Sequence, residues 1–301
     1  MITDSITPGH PKPESELRRD LCVAGRWMYE RGFAVGTEGN LSVRLDQARI
    51  LTTPCGACKG RMLPEDLVIT DLEGRRLAGA YSPSSELSMH LLFYRLRTDV
   101  RAICHAHPPI ATGFAAAGRA LDKAMLPEIV VSLGYIPLAQ YATPGTPDLS
   151  AALEPFVPHH DAILMANHGV VVSGPDLLSA FCRMEAVEQF AKTTLVTELL
   201  GRQTLLSDSD VETLLEARAR YGVTPPPGSN TVRPLTREAA ASGQTSGFTS
   251  SGRAASMDRP QPPVGPASGD ADTSATDRIT LTRAELDALI EDALRRSRPQ
   301  R

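Results

Sequence analysis

The sequence predicts one α/β domain built on a mixed or antiparallel sheet, and three observations predict it. Up to about Tyr221, apolar runs of strand length alternate with amphipathic stretches of helical period. Several consecutive strand candidates are separated only by hairpin-length turns, which join strands antiparallel. Beyond that point the composition changes: Val223 to Arg278 is rich in Pro, Gly, Ser, Thr and Ala, with Phe248 its only aromatic residue. Such a stretch buries too little apolar surface to offset its ordering entropy and reads as a disordered linker. The 301-residue chain therefore divides into a flexible N-terminus (1–13), a folded unit (14–222), a linker (223–278) and a short terminal helix (279–298).

Within the folded unit, Glu14 to Arg31 carries Leu17, Leu21, Ala24, Trp27 and Met28 near helical spacing, and Gly32 stops it. Leu41 to Leu45 and Arg49 to Thr52 are short strands about a turn at Asp46-Gln47, and Leu67 to Thr70 with Arg75 to Leu77 forms a second hairpin. Ser84 to Arg97 reads as a helix opened by serines, followed by a strand over Val100 to His107 and a helix from Pro108 to Ala117. Glu128 to Leu133 and Ile136 to Ala139 are predicted strands, as are Ala162 to Ala166 and Val170 to Ser173 on either side of a His168-Gly169 turn. Pro175 opens a long amphipathic helix to about Leu200, and another runs from Ser209 to Arg220.

Composition narrows the function classes. A formal net charge of -4 with scattered basic residues argues against a nucleic-acid partner. No apolar run reaches 18 residues and Met1 to Glu16 is polar, so neither a membrane span nor a secretory signal is expected, and the cytoplasm is the default location. Cys55 and Cys58 make a C-x-x-C, but no second close pair completes a zinc ribbon, and the pair sits in a Pro/Gly loop.

Chemistry concentrates on three histidines. His105 and His107 stand two apart at a strand end, where a period of two puts both rings on one face, and His168 lies just past a buried strand. Three neutral imidazoles leave a fourth position open on zinc, which catalysis needs; three separately satisfied strand-end polar residues give the same spacing. His90 is either part of this region or a packed helix residue, while His159 and His160 point apart in an extended chain. Glu86, at the positive end of a helix, is a candidate base beside a metal-polarised carbonyl, or an ordinary capping residue. The loops Gly39-Asn40-Leu41-Ser42, Thr53-Pro54-Cys55-Gly56 and Ser82-Pro83-Ser84-Ser85 offer backbone N–H groups and small side chains suited to a phosphate, and equally suited to plain turns.

Together these pieces resemble the class II aldolase/adducin family. The resemblance rests on six motifs in order: Gly39 to Arg44, Thr53 to Gly56, Ser82 to Glu86, His105 to Pro108, Tyr141 to Gly145 and Asn167 to Gly169. It implies a three-layer fold with a mainly antiparallel central sheet. It also implies zinc, or another divalent metal, on His105, His107 and His168, with Glu86 as the acid/base carboxylate and substrate phosphate held by Asn40, Gly56, Ser84 and Ser85, with Thr53 nearby. The implied assembly is a homotetramer. The implied reaction is retro-aldol cleavage of a ketose 1-phosphate of the L-fuculose or L-rhamnulose type to dihydroxyacetone phosphate and lactaldehyde, the metal acting as Lewis acid. Sugar-phosphate epimerases and dehydratases of the same family, and a non-catalytic adducin-like scaffold, are the alternatives.

Two departures stand out. The family's proton-donor tyrosine has no counterpart in Leu126 to Val131, with Tyr221 only a weak match to a second family tyrosine, and Cys55 replaces a common serine of the phosphate loop. In the tail, Thr282 and Glu285 form a capping box ahead of a stripe of Leu286, Leu289, Ile290, Ala293 and Leu294. A helix this short needs a docking partner, and the preceding linker spans on the order of 40 Å. The arrangement resembles the encapsulation peptides that dock enzymes onto shell or core proteins inside bacterial microcompartments, where a reactive aldehyde product would be confined.

Overall fold

The computed structural model describes residues 12–226. The sheet has eight strands: β1 (Asn40–Arg44), β2 (Arg49–Thr52), β3 (Val68–Asp71), β4 (Arg76–Ala78), β5 (Ala102–Ala106), β6 (Leu138–Ala139), β7 (Ala162–Met165) and β8 (Gly169–Gly174). Their order across the sheet is β4-β3-β2-β1-β5-β8-β7-β6. Every pairing is antiparallel except β6 with β7, so the sheet is mixed but mainly antiparallel.

Strand alternation divides the core into two layers, because successive side chains leave opposite faces of a strand. Ala102, Cys104, Ala106, Val170 and Val172 face one cluster, shared with α1 (Glu14–Glu30), α3 (Pro109–Ala116) and α6 (Leu177–Leu199). Ile103, Ile163 and Val171 face the other, with α2 (Leu87–Leu96) and α5 (Pro147–Leu153). The result is the three-layer α/β/α arrangement expected. Val130 from α4 (Pro127–Ser132) packs with Val211 from α7 (Asp208–Ala217) in a small third cluster.

The structure corrects the reading of Glu128 to Leu133 as a strand: Pro127–Ser132 is helix α4. Pro127 occupies the first helical position, where its missing N–H has no partner to lose, and the amides of Ile129 and Val130 both bond Leu126 O. A six-residue segment with three β-branched residues is too short for its period to identify it, and packing decided. Helix α5 was not anticipated, although Pro147 likewise marks its first turn. Two helices start later than the serine and proline signals suggested. α2 begins at Leu87 after Glu86, and α6 at Leu177, where the Asp176 carboxylate accepts from Ser179 N–H at 2.7 Å.

Candidate metal and substrate site

Non-local strand pairing builds the site. β1 lies against β5 with Asn40 opposite His105, and β5 lies against β8, which begins one residue after His168. The β7–β8 turn is tight: Asn167 takes a left-handed φ of 55°, and His168 N–H bonds Met165 O at 3.0 Å. Two glycines make room for the backbone here. A Cβ on Gly39 would lie 2.8 Å from His105 O, and one on Gly169 would lie 2.5 Å from the His107 ring.

The three imidazoles close on one another, with ring centroids 4.8–5.2 Å apart. One ring nitrogen from each falls within 4.8 Å of the others, the only such cluster of metal-ligating side chains among the described residues. His105 is fully buried and its Nδ1 donates to Val170 O at 2.9 Å, which fixes the ring's orientation with Nε2 toward Glu86. His107 Nδ1 lies 3.3 Å from Glu38 Oε2. Nε2 of His105 and of His107 makes no hydrogen bond although it is buried. Burial, then the neighbouring His105 and His168, push the His107 pKa down to about 3, so this ring is neutral and able to donate a lone pair. Converging ring nitrogens, two of them buried without a hydrogen-bond partner, fit a divalent metal, and a three-histidine set leaves a coordination position for substrate.

Glu86 precedes α2 and makes no capping bond. Its carboxylate turns toward the histidines, with Oε2 3.3 Å from His105 Nε2 and Oε1 3.0 Å from His168 Nε2, while Asn40 Nδ2 donates to Oε2 at 2.8 Å. Burial opposes its ionisation, but the contacts with His105 and His168 outweigh that and hold the carboxyl well below the usual carboxylate range. Such a group is ionised yet adjacent to wherever a metal-held substrate would sit.

Beside it lies a cavity of about 310 Å³ lined by Asn40, Gly56, Ser84, Ser85, Glu86, His107 and His168, among others. Pro54 and Pro83 form a bridge that draws two of the small-residue loops together, with Cys55 N–H bonded to Ser82 O and Ser84 N–H to Thr53 O. Thr53 is buried, and its hydroxyl accepts from Leu41 N–H, so it braces the loop rather than lining the cavity. His90 is elsewhere engaged: its Nδ1 lies 2.7 Å from Ser42 Oγ, which is 2.8 Å from the Tyr94 hydroxyl, all within the core. Cys55 and Cys58 are free thiols. Sequence reasoning missed Glu38 and Lys59, both of which line the cavity. No local pattern distinguishes either from an ordinary surface charge. The stripe from Leu286 to Leu294 lies outside the described residues.

The chain is similar to known proteins over most of its described residues. A 3-oxo-tetronate 4-phosphate decarboxylase from Haemophilus influenzae is 39% identical over 204 residues, covering 65% of this chain and 95% of that protein. A 5-deoxy-D-ribulose 1-phosphate aldolase from Bacillus thuringiensis serovar kurstaki is 34% identical over 207 residues, covering 68% and 96%. A solved L-fuculose 1-phosphate aldolase superposes with a TM-score of 0.64 at 33% identity, covering 69% of this chain and 98% of that one. Residues 19–195 match the class II aldolase and adducin N-terminal domain, and the chain belongs to that family as one of its metal-dependent sugar-phosphate enzymes.

Proposed function

We propose that the protein is a zinc-dependent carbon–carbon lyase that releases dihydroxyacetone phosphate from a ketose 1-phosphate of the L-fuculose or L-rhamnulose type, with lactaldehyde as the other product. The observation that carries this reading is the placement of Glu86 between His105 and His168, ionised and hydrogen-bonded by Asn40, in the wall of the adjoining cavity. His105, His107 and His168 would hold the metal, which would supply Lewis-acid polarisation of the substrate carbonyl. Gly56, Ser84 and Ser85, with Asn40, would seat the phosphate, braced by Thr53. Glu86 would carry the proton delivered to the carbon left electron-rich when the bond breaks. The family relationship supports the metal and substrate classes; a homotetramer is part of the same proposal.

A second reading has one specific observation in its favour. In Leu126 to Val131 the three β-branched residues are buried in α4, and no tyrosine is present to exchange a proton with a departing aldehyde oxygen. Decarboxylation of a 3-oxo-tetronate 4-phosphate, the reaction named for the Haemophilus relative, needs no such exchange. The carboxylate leaves as carbon dioxide, the electron pair stays on the carbon beside the ketone, and protonation there yields dihydroxyacetone phosphate. Both reactions thus share every step assigned to Glu86 and the histidines.

The deciding experiment incubates the zinc-loaded protein with fuculose, rhamnulose and ribulose phosphates and with 3-oxo-tetronate 4-phosphate, following dihydroxyacetone phosphate, aldehyde and carbon dioxide. Aldehyde release supports the first reading and carbon dioxide the second. Isomerisation or dehydration without dihydroxyacetone phosphate would refute both. Targeting of the enzyme to a microcompartment by residues 279–298 rests on the sequence pattern alone. Removing Pro225 to Arg301 should then abolish co-localisation with shell proteins while leaving turnover intact, and unchanged co-localisation would refute it.

A further inference from the structure

One buried charge in the cavity wall is unused by the chemistry above. Lys59 opens a short 3-10 turn, Lys59–Arg61, pressed against α1; a Cβ on Gly25 would meet Lys59 O at 2.7 Å. Its side chain is 2% exposed, yet Lys59 lines the cavity beside Gly56, Ser84 and Ser85. Nζ donates to Thr37 O at 2.8 Å and, within its own segment, to Ala57 O at 2.6 Å, which ties the two segments together. An ammonium has three N–H donors. Two go to neutral carbonyls, and among the described residues no carboxylate forms an ion pair with it. Burial pushes the Lys59 pKa down, opposed by Cys58, Cys55 and the Glu86 charge, none of which is hydrogen-bonded to Nζ among the described residues, and a buried charge held by carbonyls alone is costly. A ligand anion in the cavity would supply the missing counter-charge.

We propose that the Lys59 ammonium is the charge partner of the substrate's phosphoryl group, giving its third N–H to a phosphate oxygen and so selecting phosphorylated over unphosphorylated substrates. The idea rests on the cavity receiving a phosphorylated substrate, as proposed above. It differs from that proposal in assigning the dominant charge to a residue outside the three small-residue loops.

The test uses the full metal-loaded chain with inorganic phosphate as probe, measured by calorimetry and by thermal melting. Lys59→Met should lower phosphate affinity by ~10- to 100-fold, the range of one charge-assisted hydrogen bond. Its melting temperature without phosphate should change little, because the bonds lost to Thr37 O and Ala57 O are offset by removal of a costly buried charge. If Lys59→Met does not fold, Lys59→Gln keeps a donor to one carbonyl and should show the same loss. Unchanged phosphate affinity in the folded variant overturns the proposal, as does a wild type that binds no phosphate. A lowered melting temperature with unchanged phosphate affinity also overturns it, leaving Lys59 as a strut between two carbonyls. Lys59-dependent phosphate binding without turnover of any sugar phosphate would uphold this assignment while sinking the lyase reading, so the two fail separately.

Discussion

Gly169→Ala tests whether the histidine cluster is as tightly constrained as its packing implies. A Cβ at this position would sit 2.5 Å from His107 Cδ2 and 2.6 Å from Ala106 O, where ordinary contacts begin near 3.4 Å. The carbonyl is pinned, since Ala106 is paired with Val170 in the β5–β8 ladder. The ring must retreat by roughly 1 Å and the clash with the carbonyl displaces the His168-Gly169 turn as well, against a tolerance of about 0.2 Å in metal–ligand distances. Two consequences follow. Overpacking should cost ~1–3 kcal/mol of stability, and metal affinity should fall by ~10- to 100-fold, the scale seen when a ligand's support is disturbed. Competition against a chromophoric chelator measures the affinity, and urea denaturation of the metal-free protein measures the stability separately. A folded Gly169→Ala protein with wild-type metal affinity would show that His107 is not held at the metal by this contact, and the argument from close packing would fail.

Three further outcomes are expected. Glu86→Gln should keep near-normal metal content while turnover falls by ~10²- to 10⁴-fold; metal loss with full activity per bound metal would contradict the acid/base role. Asp161 is 4% exposed and lies 2.8 Å from both Arg97 Nη1 and Arg183 Nη2; Asp161→Ala removes one of the two carboxylates on the buried Arg97, which keeps Asp99, and should cost about 1–3 kcal/mol in denaturation. Burial lowers the His160 pKa from 6.5 to about 4, so the fold holds the ring neutral. Between those values the unfolded chain binds a proton that the folded chain does not. Stability should therefore drop on acidification by up to about 1.4 kcal/mol per pH unit from this group, and His160→Asn should show a shallower loss in urea denaturation across the same window.

The fold was legible where periodicity and turn spacing were both strong. β1 with β2 and β3 with β4 are hairpins whose short turns sit between apolar runs, and α1 and α6 are long enough to show their stripes. Legibility failed at α4 and α5, which have six and seven residues. At that length a buried β-branched run carries no period, and the surviving signal is the proline at the first helical position, which also opens α3. The two-residue strand β6 pairs parallel with β7, a pairing no local turn could announce.

The site divides along the same physical line. Residues whose role depends on local backbone could be read from the chain: His105 and His107 share a strand end, and His168 stands in a tight turn. Whether they meet depends on β5–β8 pairing between segments more than roughly 60 residues apart, and only the order of the six motifs pointed to it. Burial set the remaining roles. His90 had been indistinguishable from a fourth site histidine until the structure turned its ring onto Ser42 inside the core. Lys59 shows the converse, because lysine is among the residues least often buried, and a sequence gives no reason to expect one under a substrate loop. When a charge is buried, unpaired and facing a cavity, the fold is bearing a cost that its own packing does not require. The most direct physical account is that a ligand offsets it.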